Sequence, residues 1–214
     1  MLSRTEYRVE LPITANLSDQ SKVVLNKPSG NFFYDPWEIK EEYKNTVWED
    51  ILNSLPLDKG EARIIKLAPG TTYVSHTDID DRWHLTLQAQ RSYLIDLDSE
   101  TMYPTVVDGI WYSMNTGKRH VASNFGSIDR LQLVVRQLLT EANELDMVDV
   151  KISPAYDQHD YRYYFDDIIS PWLNILNKQK KIAEFKHKDS IVCFKLAKNE
   201  VGNIPESKKF RIEV

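Results

Sequence analysis

The chain has 214 residues, of which 42% are apolar and 28% charged, and carries a formal net charge of −5. That length suits one main domain with appendages, and the mixture is that of a globular protein rather than a disordered or fibrous one. The acidic balance speaks against a broad nucleic-acid footprint. The single cysteine, Cys193 in "SIVCFKL", excludes an internal disulfide and a thiolate zinc cluster and reads as a buried structural thiol. Nowhere do about 18 apolar residues run together, so no membrane span is expected and a cytoplasmic protein is the expectation.

Along the chain, "DPWEIKEEYKNTVWEDILNSLPLDKG" reads as a helix. Asp35 would be its N-cap and Pro36 its first turn, and Ile39, Tyr43, Val47, Ile51 and Leu55 recur every four residues. From Glu61 to Arg136 the texture changes to eight short β-like runs: "ARIIKL", "TTYVSH", "RWHLTLQ", "SYLIDL", "TMYPTVV", "GIWYSM", "RHVASN" and "RLQLVVR". Turn pairs such as Pro69-Gly70, Asp108-Gly109 and Phe125-Gly126 separate them. Strands so spaced predict an antiparallel sandwich or barrel, with a jelly roll as one natural closure. After Arg136 the pattern turns helical, first in "LLTEANEL" and then in "DYRYYFDDIISPWLNILNKQKK". There Tyr161, Tyr164, Phe165, Ile168, Trp172, Ile175 and Leu176 follow helical spacing, and Ser170-Pro171 caps or kinks the helix. The tail "DSIVCFKL" to "FRIEV" would add a terminal hairpin. The expected division is an N-terminal strand and helix region over 1–60, a catalytic core over 61–136 and a helical extension over 137–214.

Chemistry concentrates in "SHTDIDDRWH", residues 75–84. Alternate residues of an extended segment share a side, so His76 and Asp78 would grip one metal ion together. Two histidines and a carboxylate on one face of an octahedral ion are the arrangement that non-haem Fe(II) oxygenases use. Of the five histidines, His159 and His187 fall outside the β region, which leaves His84 and His120 as third ligand. Arg130 would lie opposite His120 if "RHVASN" and "RLQLVV" were the arms of one hairpin, and a buried guanidinium there calls for an anion.

The stretches "GEARIIKLAPGTTYVSHTDIDDRWHLTLQ" and "GIWYSMNTGKRHVASNFGSIDRLQLVV" resemble the aspartyl/asparaginyl β-hydroxylase-like branch of the 2-oxoglutarate- and Fe(II)-dependent dioxygenases. Four spaced elements carry the likeness: His-x-Asp, Arg-x-His-Leu, the run "NTGKRHVASN", and an arginine ten residues after its histidine. The resemblance implies a core that is a double-stranded β-helix, a cupin-like jelly roll, with flanking helices in a mainly β chain. It implies His76, Asp78 and His120 as ligands of Fe(II), and Arg130 as the residue that holds the distal carboxylate of 2-oxoglutarate. Arg82 and His84 would hold the co-substrate on its metal-bound side. The implied reaction spends dioxygen and 2-oxoglutarate to hydroxylate a free amino acid or an amino-acid residue in a peptide. Because the acidic ligand Asp78 is present, the likeness is closer to the bacterial amino-acid hydroxylases, such as those of proline, than to the animal-type enzymes.

Arg91, Asn115, Arg119, Asn124 and Arg136 are polar residues expected near the mouth, none of them assigned to a substrate. Two rival readings stand beside the resemblance. One is a cupin-like metal enzyme that uses no oxo-acid, and the other is a β-sandwich binding module without catalysis. Neither a membrane nor a nucleic acid is an expected partner.

Overall fold

The computed structural model describes residues 2–10, 21–142, 146–155 and 165–214. In chain order its elements are β1 (Leu2–Arg8), β2 (Lys22–Val24), β3 (Asn26–Pro28), β4 (Trp37–Ile39), α1 (Val47–Asn53), β5 (Lys59–Leu67), β6 (Thr71–Thr72), β7 (Arg82–Gln88) and β8 (Ser92–Asp96). They continue with β9 (Thr101–Pro104), β10 (Ile110–Met114), β11 (His120–Asn124), β12 (Arg130–Gln137), β13 (Met147–Pro154), α2 (Ser170–Lys178), β14 (Ile182–Lys188), β15 (Ile191–Ala197) and β16 (Phe210–Glu213).

Strands β5 to β12 form a jelly roll. One sheet has the order β1-β10-β7-β12-β5-β2 and the other β6-β11-β8-β9, with every pairing antiparallel. Except at the β8–β9 hairpin, each successive strand crosses to the opposite sheet, which is how a double-stranded β-helix closes. Because the side-chain period of a strand is two, each strand of the larger sheet offers one face to the space between the sheets and one to the outside. In β7, Trp83, Leu85 and Leu87 join the outer hydrophobic cluster, while Arg82 and His84 line the interior.

That outer face is sealed by α1, whose Trp48, Ile51 and Leu52 pack with Leu55, Trp83, Leu85, Trp111 and Leu133. Burying each such side chain contributes about 1.5–3 kcal/mol. Trp111 is wholly buried, yet its indole N–H reaches the Ser54 hydroxyl at 2.9 Å.

The helix expected from Asp35 starts twelve residues later, at Val47, capped by the Thr46 hydroxyl that accepts from the Trp48 N–H. Trp37–Ile39 instead pairs with Asn26–Pro28, and the Asp35 carboxylate accepts from the Asn31 N–H at 2.5 Å. Ile39 and Tyr43 do pack against the same cluster as the helix, so their spacing reported burial correctly but not conformation. Lys40 and Lys44 are extended and Asn45 has φ 55°, a break that no continuous helix tolerates.

The part after β12 is mostly sheet rather than a helical extension. It has a four-stranded sheet of order β14-β15-β13-β16, over which a wide helical turn, Phe165–Ile169, runs into α2. Leu139, Val150, Ile152, Phe165, Leu173 and Phe194 belong to its core. Of "LLTEANEL", the described residues are not helical, and 143–145 lie outside the described residues, as do Tyr161, Tyr164 and His159. Pro171 stands in the first turn of α2, where its missing N–H costs nothing. The terminal strands do form, but as parts of this sheet, and Cys193 is half-buried on β15 rather than fully buried. No helix among the described residues is long and apolar enough to cross a membrane.

Candidate metal centre and anion pocket

The segment linking β6 to β7 carries His76 and Asp78. It is held extended by the backbone: His76 and His120 exchange N–H···O bonds of 3.1 and 3.0 Å, and the Asp78 N–H donates to Thr116 O at 2.8 Å. Alternation then turns His76 and Asp78 into the space between the sheets, whereas Thr77 between them donates its hydroxyl proton to the Asp166 carbonyl. The helix α2 clamps the next turn, with Asn174 Nδ2 donating to Asp81 Oδ1 at 3.1 Å and Lys178 Nζ standing 3.0 Å from Asp81 Oδ2.

One potential ligand atom from each of His76, Asp78 and His120 lies within 4.8 Å of the others. Asp78 Oδ2 is 3.7 Å from His76 Nε2 and 3.9 Å from His120 Nε2. Each imidazole is oriented from behind. His76 Nδ1 is 2.8 Å from Val74 O and His120 Nδ1 is 2.8 Å from Lys118 O. A carbonyl only accepts, so each Nδ1 is the donor, and the Nε2 atoms are the ones turned to Asp78 and the shared space. Burial, together with the neighbouring His76, pushes the His120 imidazole below its ordinary value in spite of Asp78. Burial raises Asp78, but the Arg82 guanidinium and the two imidazoles outweigh it and bring the carboxyl down to about 2. Two imidazole nitrogens and one carboxylate thus face one space, a set that fits a divalent transition metal with further positions open.

Arg82 binds Asp78 Oδ1 at 2.8 Å and Asp80 Oδ1 at 2.9 Å through the same Nη2. Its charge is committed to the ligand carboxylate and to Asp80, and Asp80, only 1% exposed, is also gripped by Arg136 through Nε at 2.5 Å. Sequence reading put Arg82 beside the co-substrate; in the structure its nearest anions are these two carboxylates, although it does line the cavity.

Across the cavity stand Arg130, His84 and Gln132. Arg130 is 2% exposed and donates through Nη2 to Gln132 Oε1, while its Nε has no hydrogen-bond partner. No carboxylate pairs with it among the described residues. Burial pushes its guanidinium down to about 10. Burial and then the Arg130 charge push the His84 imidazole down to about 3, against the pull of Gln132, and neither ring nitrogen makes a hydrogen bond of good geometry. Metal-ligand candidates and orphaned donors line one cavity of about 560 Å³ including its mouth, with Ile65, Leu94 and Val134 among its apolar walls.

His120 and Arg130 do face a common interior, but not across a hairpin. β11 pairs with β6 and β8, β12 pairs with β5 and β7, and the turn between them changes sheets. That crossing needs Gly126, since a Cβ there would collide with the Gln90 carbonyl. Asn124, expected near the mouth, is wholly buried and ties this turn by donating to Leu67 O and Ile128 O. Arg136 is likewise buried, Arg119 pairs with Asp167, Asn115 accepts from the Gly117 N–H, and Arg91 stands exposed at φ 48°. Sequence reasoning missed Gln132 and Arg63 as cavity walls. Gln132 was within reach, two residues along the strand from Arg130 on the same face.

No protein-family model matches the chain, and no curated protein matches it. Among solved structures it is similar to a cupin domain from Bordetella pertussis Tohama I, with 12% identity, 37% of this chain and 82% of that chain covered, and a TM-score of 0.31. The reading of the site therefore rests on this chain's own geometry.

Proposed function

We propose that the protein is an Fe(II)- and 2-oxoglutarate-dependent oxygenase that hydroxylates an amino acid, free or within a peptide. The observation that carries the reading is Arg130: a nearly inaccessible guanidinium without a carboxylate partner, in the same cavity as His76, Asp78 and His120. An unpaired buried charge costs several kcal/mol, so a bound dicarboxylate supplies what the fold leaves unmet.

His76, Asp78 and His120 would hold the iron, and Arg130 the distal carboxylate of 2-oxoglutarate. When bound, iron with 2-oxoglutarate and dioxygen supplies the oxidising power for hydroxylating an unactivated C–H bond, while 2-oxoglutarate goes to succinate and carbon dioxide. The chain's own work is positional. Val74 O and Lys118 O fix the two imidazoles, and Arg82 holds Asp78 deprotonated and aimed. His84, neutral at working pH, offers either a donor or an acceptor to the co-substrate without adding charge. Apolar walls at Ile65, Leu94 and Val134 exclude water and strengthen the charge pairing. A jelly-roll metal enzyme without an oxo-acid would have no use for Arg130.

Purified anaerobically, loaded with Fe(II) and then supplied with dioxygen, the protein is expected to convert 2-oxoglutarate to succinate, slowly alone and faster with a matching amino acid. His76→Ala and Arg130→Ala should each abolish this. Turnover surviving His76→Ala would overturn the metal assignment, and turnover surviving Arg130→Ala with 2-oxoglutarate still required would overturn the anion assignment.

A further inference from the structure

Beyond Asp78 and Arg82 a second cavity opens, about 1070 Å³ including its mouth, which shares Arg63, Asp78 and Arg82 with the first. Its walls come from three parts of the chain. Phe32 and Phe33 enter from the loop before β4, Arg63 from β5, and Phe165 and His187 from the C-terminal unit. His187 stacks on Phe165 with ring centroids 5.5 Å apart, and the Arg136 guanidinium covers Phe32 and Phe33 at 4.6 and 4.8 Å.

The ionic groups here differ in what they have left to offer. Arg82 meets Asp78 and Asp80 through Nη2 alone, and its Nε and Nη1 are buried without a hydrogen bond, whereas Arg136 is taken by Asp80. Arg63 has Glu61 on Nη1 at 2.8 Å, but its Nε is buried without a hydrogen bond. Glu61, Asp78 and Asp80 each already face an arginine. The cavity thus combines aromatic rings, two cations with donors to spare, Arg63 and Arg82, and paired carboxylates.

We propose that this second cavity seats the substrate, and that the substrate is a carboxylate with a bulky apolar body, such as a branched-chain or aromatic α-amino acid. Its carboxylate lies on Arg63, which faces one carboxylate where Arg82 faces two, and its apolar part among Phe32, Phe33 and Phe165. The assignment rests on the oxygenase reading above and narrows it. A second charge, on the side chain, would be buried among these rings. The C-terminal unit on this view contributes a wall of the substrate site.

The test is anaerobic calorimetric titration of the full chain, loaded with Fe(II) and 2-oxoglutarate, with L-leucine, L-phenylalanine, L-aspartate, L-lysine and L-phenylalaninamide. L-Leucine or L-phenylalanine should bind at least tenfold more tightly than L-aspartate, L-lysine and the amide. Phe32→Ala and His187→Ala, both at exposed positions where folding tolerates the change, should weaken that binding about tenfold. Arg63→Gln should remove the preference for acid over amide. Equal binding of L-aspartate or L-lysine, or an acid preference that survives Arg63→Gln, would overturn the inference; succinate formation driven by some other amino acid would then leave the oxygenase reading standing. If wild type binds neither Fe(II) nor 2-oxoglutarate, that reading falls, while Arg63-dependent binding of L-phenylalanine to the metal-free chain would still uphold the second cavity as its site.

Discussion

Replacing Arg130 with methionine separates what this residue does for the fold from what it does for the ligand. Its guanidinium stands at about 10 rather than the ordinary 12.5 because burial disfavours its charge. The difference corresponds to roughly 3 kcal/mol of unfavourable charge burial in the ligand-free protein. A base whose folded value is depressed stays penalised at every pH below that value, so the cost is constant across the working range and fades only above about pH 10. Methionine has similar length and no charge. It would strand the Gln132 carbonyl that now accepts from Arg130, which returns about 1 kcal/mol. Ligand-free Arg130→Met is therefore expected to be as stable as wild type, or more stable by up to about 2 kcal/mol. Binding should move the other way: two charge-assisted hydrogen bonds lost correspond to a fall in 2-oxoglutarate affinity of roughly a hundredfold or more. Denaturant unfolding with and without 2-oxoglutarate measures both effects on one sample. A variant destabilised by more than about 2 kcal/mol, or one still stabilised by 2-oxoglutarate to the wild-type extent, would refute the view that Arg130 is a ligand-binding charge held at a cost to the fold.

Three further outcomes follow from the same geometry. His84, pushed down to about 3, stays unprotonated in the folded chain where the unfolded chain takes up a proton, so stability should fall as pH drops from about 6.5 toward 3. His84→Gln should move the acid-unfolding midpoint lower, and an unchanged midpoint would show that burial there is weaker than the structure indicates. Asp80→Asn strips the shared anion from two buried arginines, Arg82 and Arg136, and is expected to cost about 3–5 kcal/mol in urea unfolding; a cost under about 1 kcal/mol would contradict the network. Thr46→Ala removes the side-chain cap of α1 and should cost about 1 kcal/mol without changing metal affinity, whereas no loss would mean that the helix start is set by packing alone.

The β core was legible because its strands have one face against α1 and one against a polar interior, which prints a period of two on residues such as Arg82 to Gln88. The early helix was misread for a specific reason. Ile39 and Tyr43 feed the same hydrophobic cluster as α1 but from a hairpin and a turn, so burial at every fourth position imitated helical periodicity. "LLTEANEL" misled through local helix propensity; in its described part Leu139 packs into the C-terminal core and the Ala142 N–H donates to Ile182 O. At the site, alternation paired His76 with Asp78, His120 and Arg130 were named as candidates beside them, and the structure brings all four to one cavity. The meeting of His120 and Arg130, however, depends on β11 and β12 lying in opposite sheets, a long-range fact that the hairpin expectation missed. The commitment of Arg82 to Asp80, the role of Arg63 as a wall of both cavities, and the approach of Phe165 from the C-terminal unit are contacts between elements far apart in the chain. Spacing within one segment carries no trace of them.

If His76, Asp78, His120 and Arg130 form a single site, anaerobic titration of Fe(II) into the chain, with and without 2-oxoglutarate, reads them together. One Fe(II) per chain should bind, more tightly when 2-oxoglutarate is present, and both the binding and its enhancement should vanish in His120→Ala, while Arg130→Met should lose the enhancement alone. Fe(II) binding undiminished in His120→Ala, or 2-oxoglutarate binding that ignores both the metal and Arg130, would contradict a single site.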